Sequence, residues 1–444
     1  MKRILLWLGG MIVAIGILVL GFIGWTVAQP GPTSFANGTP VDLTRYKGAD
    51  PTGVPAELAN ADLLTRGKYL TDAADCQACH TARGGVPYAG GRPFVLPFGT
   101  IYTPNITPDV ATGVGKWSDA DFLKAVHKGI APDGSRLYPA FPYASYTMLT
   151  DQDVLAIKAY LFSLKPVSSP NKPNTFGLPF NQRWLMTFWA AFFNSDERFR
   201  PVPEQSPQWN RGAYLVEAAA HCGECHTPRN LMQAMNTRRK FAGGQAEGWN
   251  AYNITPDRVS GIGAWSARDL AAYLARGHAP GRGTASGPMR EAVELSLGKL
   301  TPGDIAAMVT YMQSVPAIRS SALPEMAGPA PAAPRSGPTD NPVGKRLFEG
   351  NCASCHAWNC NGALVREAQL TGDRAVNDVT ASNVAQMILN GAGTSTSGRP
   401  YMPSFASAYT DREIASVANY VTARFGSKPS TITPTQVSAL RAQN

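Results

Sequence analysis

Residues 76–80 read Cys-Gln-Ala-Cys-His, residues 222–226 read Cys-Gly-Glu-Cys-His, and residues 352–356 read Cys-Ala-Ser-Cys-His. Six of the seven cysteines fall in these pentapeptides, whose first residues stand 146 and 130 positions apart. The order of groups has a chemical reason. Thiols at i and i+3 meet the two vinyl groups on one porphyrin edge as thioethers, and the adjacent imidazole turns onto the iron. Cys76 with Cys79, Cys222 with Cys225 and Cys352 with Cys355 are therefore the expected attachments of three covalent haems c. His80, His226 and His356 are the expected proximal ligands. A structural zinc ion would need two such pairs close enough to share it, and a thioredoxin-type motif would sit in a βαβ pattern. Neither fits three distant motifs that each carry a histidine. Cys360 is left over and is expected as a packed, inert thiol, the alternative being a bond to another chain.

The chain has 444 residues, room for about three domains of ~150 residues. Glycine (43) and proline (36) are abundant enough for long connecting loops. Charged residues make up 16 %, with no sustained like-charge block, which argues against a nucleic-acid partner. The net charge is +9 and the pI 9.2. Six propionates would lower that charge to about +3, so the basic balance names no anionic partner. No Ser-His-Asp, nucleotide-loop or paired-carboxylate arrangement is visible, so no catalytic residue is assigned.

A local grammar surrounds each motif. A short leading helix carries Gly67 and Tyr69, Gly212 and Tyr214, or Gly344 and Phe348. An amphipathic closing helix follows, over Asp151–Leu164, Pro302–Val315 and Asp411–Phe425, with Tyr160, Tyr311 or Tyr420 on it. Glycine and aromatic residues so placed suit two helices that cross closely. The first two units also match at an offset of 148. Asn105-Ile106-Thr107-Pro108-Asp109 repeats as Asn253-Ile254-Thr255-Pro256-Asp257, and Gly113, Gly115, Trp117 and Ser118 repeat as Gly261, Gly263, Trp265 and Ser266. Ser118 and Ser266 read as helix N-caps. The expected organisation is haem domains at 60–166, 205–316 and 342–426. An aromatic connection fills 167–204, a Pro/Ala-rich linker 317–341 and a polar tail 427–444.

Residues 1–28 carry Lys2 and Arg3, an apolar centre from Leu5 to Ile23, and Trp7 and Trp25 near the ends. That pattern predicts one N-terminal transmembrane helix with the rest of the chain outside the cytoplasm. A cleaved signal peptide ending at Thr26-Val27-Ala28 is the competing reading.

Met289 and Met402 lie between a motif and its closing helix, beside prolines, and are the expected sixth iron ligands of the second and third sites. The first site breaks the pattern, because Phe141 stands at the position matching Met289. His127 is the candidate distal ligand there, with Met148 the rival and an open iron the third alternative. Arg83, Arg229, Asn105, Asn253, Trp117 and Trp265 are candidate donors to buried propionates, set against ordinary loop roles. Phe180–Phe193, with Trp184, Met186, Phe188, Trp189 and Phe192, reads as core or as an aromatic surface toward a membrane, a quinone or a partner.

These residues give the chain a resemblance. His221-Cys222-Gly223-Glu224-Cys225-His226-Thr227-Pro228-Arg229-Asn230, both Asn-Ile-Thr-Pro segments, Leu137-Tyr138-Pro139-Ala140 and Gly287-Pro288-Met289 resemble the triheme cytochrome c subunits of bacterial membrane-bound dehydrogenases. Those serve alcohol, aldehyde, gluconate, sorbitol and fructose enzymes, and the resemblance covers about residues 60–426. It implies a mainly α fold of three tandem class I cytochrome c-like domains after the N-terminal helix. It also implies a relay on the periplasmic side of the inner membrane, carrying electrons from a separate catalytic subunit through three haems to ubiquinone. The partner resembles a molybdopterin aldehyde dehydrogenase, with a small iron–sulfur subunit as a further candidate. A quinoprotein alcohol or flavoprotein sugar dehydrogenase is the alternative. A peroxidase-like haem enzyme acting at an open first iron is the rival from another class. Family members typically offer a methionine to the first haem, so Phe141 is a departure.

Overall fold

The computed structural model describes residues 2–320, 340–357, 365–393 and 402–443. Helices dominate it, and the sheets among the described residues are three two-stranded antiparallel hairpins. Leading helices run over Leu63–Ala73, Pro207–Tyr214 and Pro342–Asn351, and closing helices over Asp151–Ser163, Pro302–Ser314 and Asp411–Phe425. The closing helices start in one way. The hydroxyls of Thr150, Thr301 and Thr410 accept the backbone N–H of Asp153, Asp304 and Glu413, the acidic residue three places on. Ser118 and Ser266 cap their helices as the sequence predicts.

The glycines explain how each pair of helices meets. A Cβ on Gly67, Gly212 or Gly344 would stand 3.0, 2.9 or 2.8 Å from the Cβ of Tyr160, Tyr311 or Tyr420. It would lie closer still to the carbonyl oxygen of Ala156, Ala307 or Ser416, one turn earlier on the closing helix. The same crossing is thus built three times, and only a residue without a side chain lets the backbones approach so far.

The first two units share one continuous apolar cluster, which includes Leu70, Leu149, Val154, Leu215, Val216, Met308 and Tyr311. Their contact is reciprocal. The Tyr69 hydroxyl donates to Asp304 of the other unit at 2.6 Å, and the Tyr214 hydroxyl donates to Asp153. Within the second unit, Arg211 holds Asp304 in a two-pronged ion pair, at 2.8 and 2.7 Å. The third unit has Arg346 where the others have tyrosine, and it packs its own cluster around Phe348, Ile414, Tyr420 and Phe425.

Four expectations meet the structure here. Lys2–Val27 forms a helix, but among the described residues no helix is long and apolar enough to cross a membrane. The expected transmembrane anchor and inner-membrane location are therefore corrected. The far end of this helix lies against the protein. The guanidinium of Arg238 sits 4.4 Å from the Trp25 ring, and Thr237 donates to Gln29. Residues 427–444, expected as a polar tail, carry a helix over Pro434–Arg441 whose Val437 is fully buried. Most of the 317–341 linker lies outside the described residues, as does Cys360. The aromatic stretch divides: Trp189 packs on Tyr143 and donates to the Met232 carbonyl, while Phe180, Trp184, Phe188 and Phe192 are exposed.

Candidate haem sites

All six described cysteines are free thiols. Burial pushes Cys76, Cys222 and Cys225 up to about 12 and Cys352 to about 11, and raises Cys79 as well. These five are neutral thiols, unlike the depressed thiolates of redox-active pairs.

The three histidines are held alike. The Nδ1–H of His80 donates to the Pro104 carbonyl at 2.8 Å, that of His226 to Tyr252 at 2.6 Å and that of His356 to Ala368 at 2.7 Å. A carbonyl can only accept, so this bond places the proton on Nδ1 and leaves the Nε2 lone pair free. Burial lowers the pKa of all three rings, which keeps them neutral. A neutral imidazole with Nδ1 tied back to a carbonyl is the form that binds a metal through Nε2. Pro104 and Tyr252 stand 148 positions apart, so the repeat extends to the group that orients each histidine. These residues fit haem c.

Met289 lies in the first turn of a helix over Gly287–Leu295 and packs at the edge of the shared cluster, as Phe141 does in the first unit. Gly287 has φ +51°, and a Cβ there would meet the Trp249 ring. Met402 pairs with Ala392 in a short bridge and packs on the third unit's cluster. His127 is buried to 2 % exposure on the helix Asp119–Lys128. Its Nδ1 lies 3.7 Å from Asp151, and its Nε2 is buried without a hydrogen-bond partner. Burial, with Arg198 nearby, lowers its pKa to about 4. Met148 is buried in the core at 9 % exposure.

The candidate propionate donors separate. Asn105 spends both amide hydrogens on Thr112 and the Val167 carbonyl, and its oxygen accepts the Thr107 N–H. Asn253 does the same with Ser260, Ile318 and Thr255. Their donors are used up in fastening the loop to the segment that leaves the closing helix. Arg229 pairs with Glu224 at 2.8 Å, and Arg83 is exposed. Trp117 packs edge-on against Phe122, and Trp265 against Tyr273.

Comparison with known proteins decides the family. The family model described as cytochrome c matches residues 64–165, and that described as cytochrome c oxidase, cbb3-type, subunit III matches residues 340–421. The fructose dehydrogenase cytochrome subunit of Gluconobacter japonicus is 37 % identical over 417 residues, 89 % of this chain and 86 % of that one. The alcohol dehydrogenase (quinone) cytochrome c subunit of Gluconobacter oxydans is 33 % identical, over 87 % of this chain and 84 % of its own. The chain belongs to the family of dehydrogenase cytochrome c subunits. It therefore binds haem c covalently and serves electron transfer within a dehydrogenase complex. A nicotinate dehydrogenase component of Pseudomonas putida is 38 % identical over 380 residues, 82 % of this chain, but the chain spans only 30 % of that longer protein.

As a cytochrome subunit, the chain owes its continuity to residues that sequence reading did not single out. Tyr146 donates to the Ala74 carbonyl, two residues before Cys76, and lays its ring 5.3 Å from His221, beside Cys222. Ser145 donates to Glu224, inside the second motif, at 3.0 Å. The second motif reaches the third unit through Tyr252 and Asn250, which donate to Asp378 at 3.1 and 2.9 Å. Tyr146 lies five residues past Phe141, in a segment whose only sequence signal was its aromatic content.

Proposed function

We propose that this chain is a triheme electron relay of a periplasmic dehydrogenase complex, taking electrons from a catalytic subunit and delivering them to ubiquinone. The observation that carries the reading is the threefold repetition of one arrangement: two half-buried free thiols and a neutral imidazole whose Nδ1 is tied to a carbonyl. When bound, haem c supplies reversible one-electron exchange at its iron. The protein's own residues fix the imidazoles, exclude water and hold neighbouring motifs together through Tyr146, Ser145 and Tyr252.

Met289 and Met402 are the proposed sixth ligands of the second and third sites. His127 is proposed for the first, because its buried Nε2 has no partner while its Nδ1 faces a carboxylate. Met148 is the rival. A partner of the molybdopterin aldehyde dehydrogenase type rests on the sequence resemblance; the relatives' names favour sugar or alcohol enzymes instead. Quinone as acceptor is supported by the name of the alcohol dehydrogenase relative.

Pyridine haemochrome analysis of the purified chain tests the relay and is expected to give three haems per polypeptide; one or none refutes it. Near-infrared spectra of the oxidised protein are expected to show two methionine-ligated irons and one bis-histidine iron. Three methionine-ligated irons would exclude His127. Co-purification of the native complex identifies the catalytic partner.

A further inference from the structure

The loop that holds the third proximal histidine is fastened to the second unit. His356 donates to the carbonyl of Ala368, the last residue of a 3₁₀ turn over Arg366–Ala368. Against that loop lies a short hairpin of the second unit, in which His278–Ala279 pairs with Gly283–Thr284. The Thr284 hydroxyl donates to the Glu367 carbonyl at 3.2 Å, and the Thr284 N–H donates to the Asp373 carboxylate at 3.0 Å. The Arg374 N–H donates to the Arg282 carbonyl at 3.0 Å. Gly372, at φ +82°, comes so near the hairpin that a Cβ on it would stand 2.6 Å from the Gly281 carbonyl oxygen.

Donor and acceptor chemistry sets the direction of the bonds at Thr284. Its hydroxyl has one proton, and a carbonyl can only accept, so that proton goes to Glu367. His278 Nδ1 lies 3.0 Å from the same hydroxyl and must therefore be the donor there. Burial lowers the pKa of His278, which keeps the ring neutral. A directed chain results, from His278 N–H to Thr284 O–H to the Glu367 carbonyl, and hydrogen bonds in series strengthen one another. The next peptide carbonyl along the loop is that of Ala368, which receives the proton of His356.

The structure assigns Thr284, oriented by His278, as a positioning residue for the proximal ligand of the third haem. The inference rests on the reading of His356 as that ligand, and it adds what holds its carbonyl partner in place. The second unit thus completes the histidine cradle of the third. A carbonyl held against Nδ1–H makes the imidazole a stronger electron donor, which favours the ferric iron and lowers the potential. When the loop is freed from Thr284, that bond loosens and the potential rises.

Spectroelectrochemical titration of the purified haem-loaded chain tests the assignment without turnover. The wave missing from the chain that carries both Cys352→Ser and Cys355→Ser belongs to the third site. Thr284→Val replaces the hydroxyl by a methyl group of similar size. It should lower the ferric-to-ferrous ratio of that site at a fixed potential by about three- to tenfold, tenfold being about 59 mV for one electron. The other two waves should stay within twofold. Thr284→Ser keeps the donor and should restore the native value. His278→Phe leaves the hydroxyl without its orienting donor and should move the same wave in the same direction; it decides alone if Thr284→Val does not load three haems. If neither Thr284→Val nor His278→Phe moves the third wave, or if Thr284→Ser moves it as far as Thr284→Val, the hydroxyl does not position the histidine, and His356 remains the ligand without it. If the native chain has no third wave, the reading of the third motif fails, and the assignment falls with it.

Discussion

The helix Pro342–Asn351 carries two glycines that make a matched test of the repeated crossing. A Cβ on Gly350 would meet nothing within 4 Å. A Cβ on Gly344 would stand 2.8 Å from the Cβ of Tyr420 and closer to the Ser416 carbonyl oxygen. Carbon atoms in ordinary contact stay about 3.5 Å apart. The closing helix must therefore retreat by at least about 0.7 Å, against Tyr420, which is 1 % exposed and packed on Phe348. Both changes remove the same backbone entropy penalty, so alanine gains roughly 0.5–1 kcal/mol at either position. At Gly344 the overpacking costs ~1–3 kcal/mol. Gly350→Ala should be neutral or stabilising, and Gly344→Ala should lose about 1–2 kcal/mol. In a unit of this size that corresponds to a transition lowered by ~5–15 °C. Differential scanning calorimetry of the full chain, followed at the Soret band, reads the difference. Equal transition temperatures for the two variants would show that the helices do not cross at Gly344, and the repeated unit would lose its structural basis.

Three further outcomes follow from other contacts. Tyr214→Phe removes one donor from buried Asp153, which keeps the Gly53 N–H at 3.0 Å; denaturant unfolding should show a loss of about 1–2 kcal/mol with haem content unchanged. Gly287→Ala forces a side chain onto the Trp249 ring from a backbone at φ +51°, displacing the turn that carries Met289. If Met289 ligates the second iron as proposed, its methionine-to-iron band should weaken while that of the third site persists. Burial raises the Asp373 carboxyl to about 6, although it accepts the N–H groups of Thr284 and Ala375. The folded chain thus holds a proton that the unfolded chain has already released, so stability should fall as pH rises from about 4 to 6 and level off above. Asp373→Asn should flatten that slope in urea titrations, and a slope unchanged by the substitution would exclude the group.

What could be read in the sequence was what covalent chemistry and backbone sterics dictate locally. The thioether motif admits few spacings, and a glycine facing a carbonyl leaves no room for a side chain, so the motifs and helix pairs are legible in the sequence. Asn105 and Asn253 show the opposite case. Their recurrence suggested a donor to a cofactor, yet each closes a turn two residues ahead, onto Thr107 or Thr255. That is the ordinary preference of asparagine. The N-terminal segment is where hydropathy and structure part: an apolar run read as an anchor, yet among the described residues no helix is long and apolar enough to cross a membrane. The joining of the first two units was beyond sequence reasoning, since Tyr69 and Asp304 lie 235 residues apart. Only the absence of a matching tyrosine at Arg346 hinted that the third unit pairs differently.

Tyr252 shows what that difference does for a relay. Its carbonyl orients His226, and its hydroxyl donates to Asp378 of the third unit. The same hairpin sends Asn250 to Asp378, and Asn383 donates back to the Asn250 carbonyl at 3.0 Å. The guanidinium of Arg374 lies 4.8 Å from the Tyr252 ring. The segment 249–252 that holds His226 thus also receives the third unit. A shift of the third unit would be felt at His226 before it reached the shared core of the first two. In the first unit the matching carbonyl belongs to Pro104, which has no hydroxyl to offer. Duplication supplied two equal histidine cradles, and one tyrosine made the second of them a docking point for the third unit.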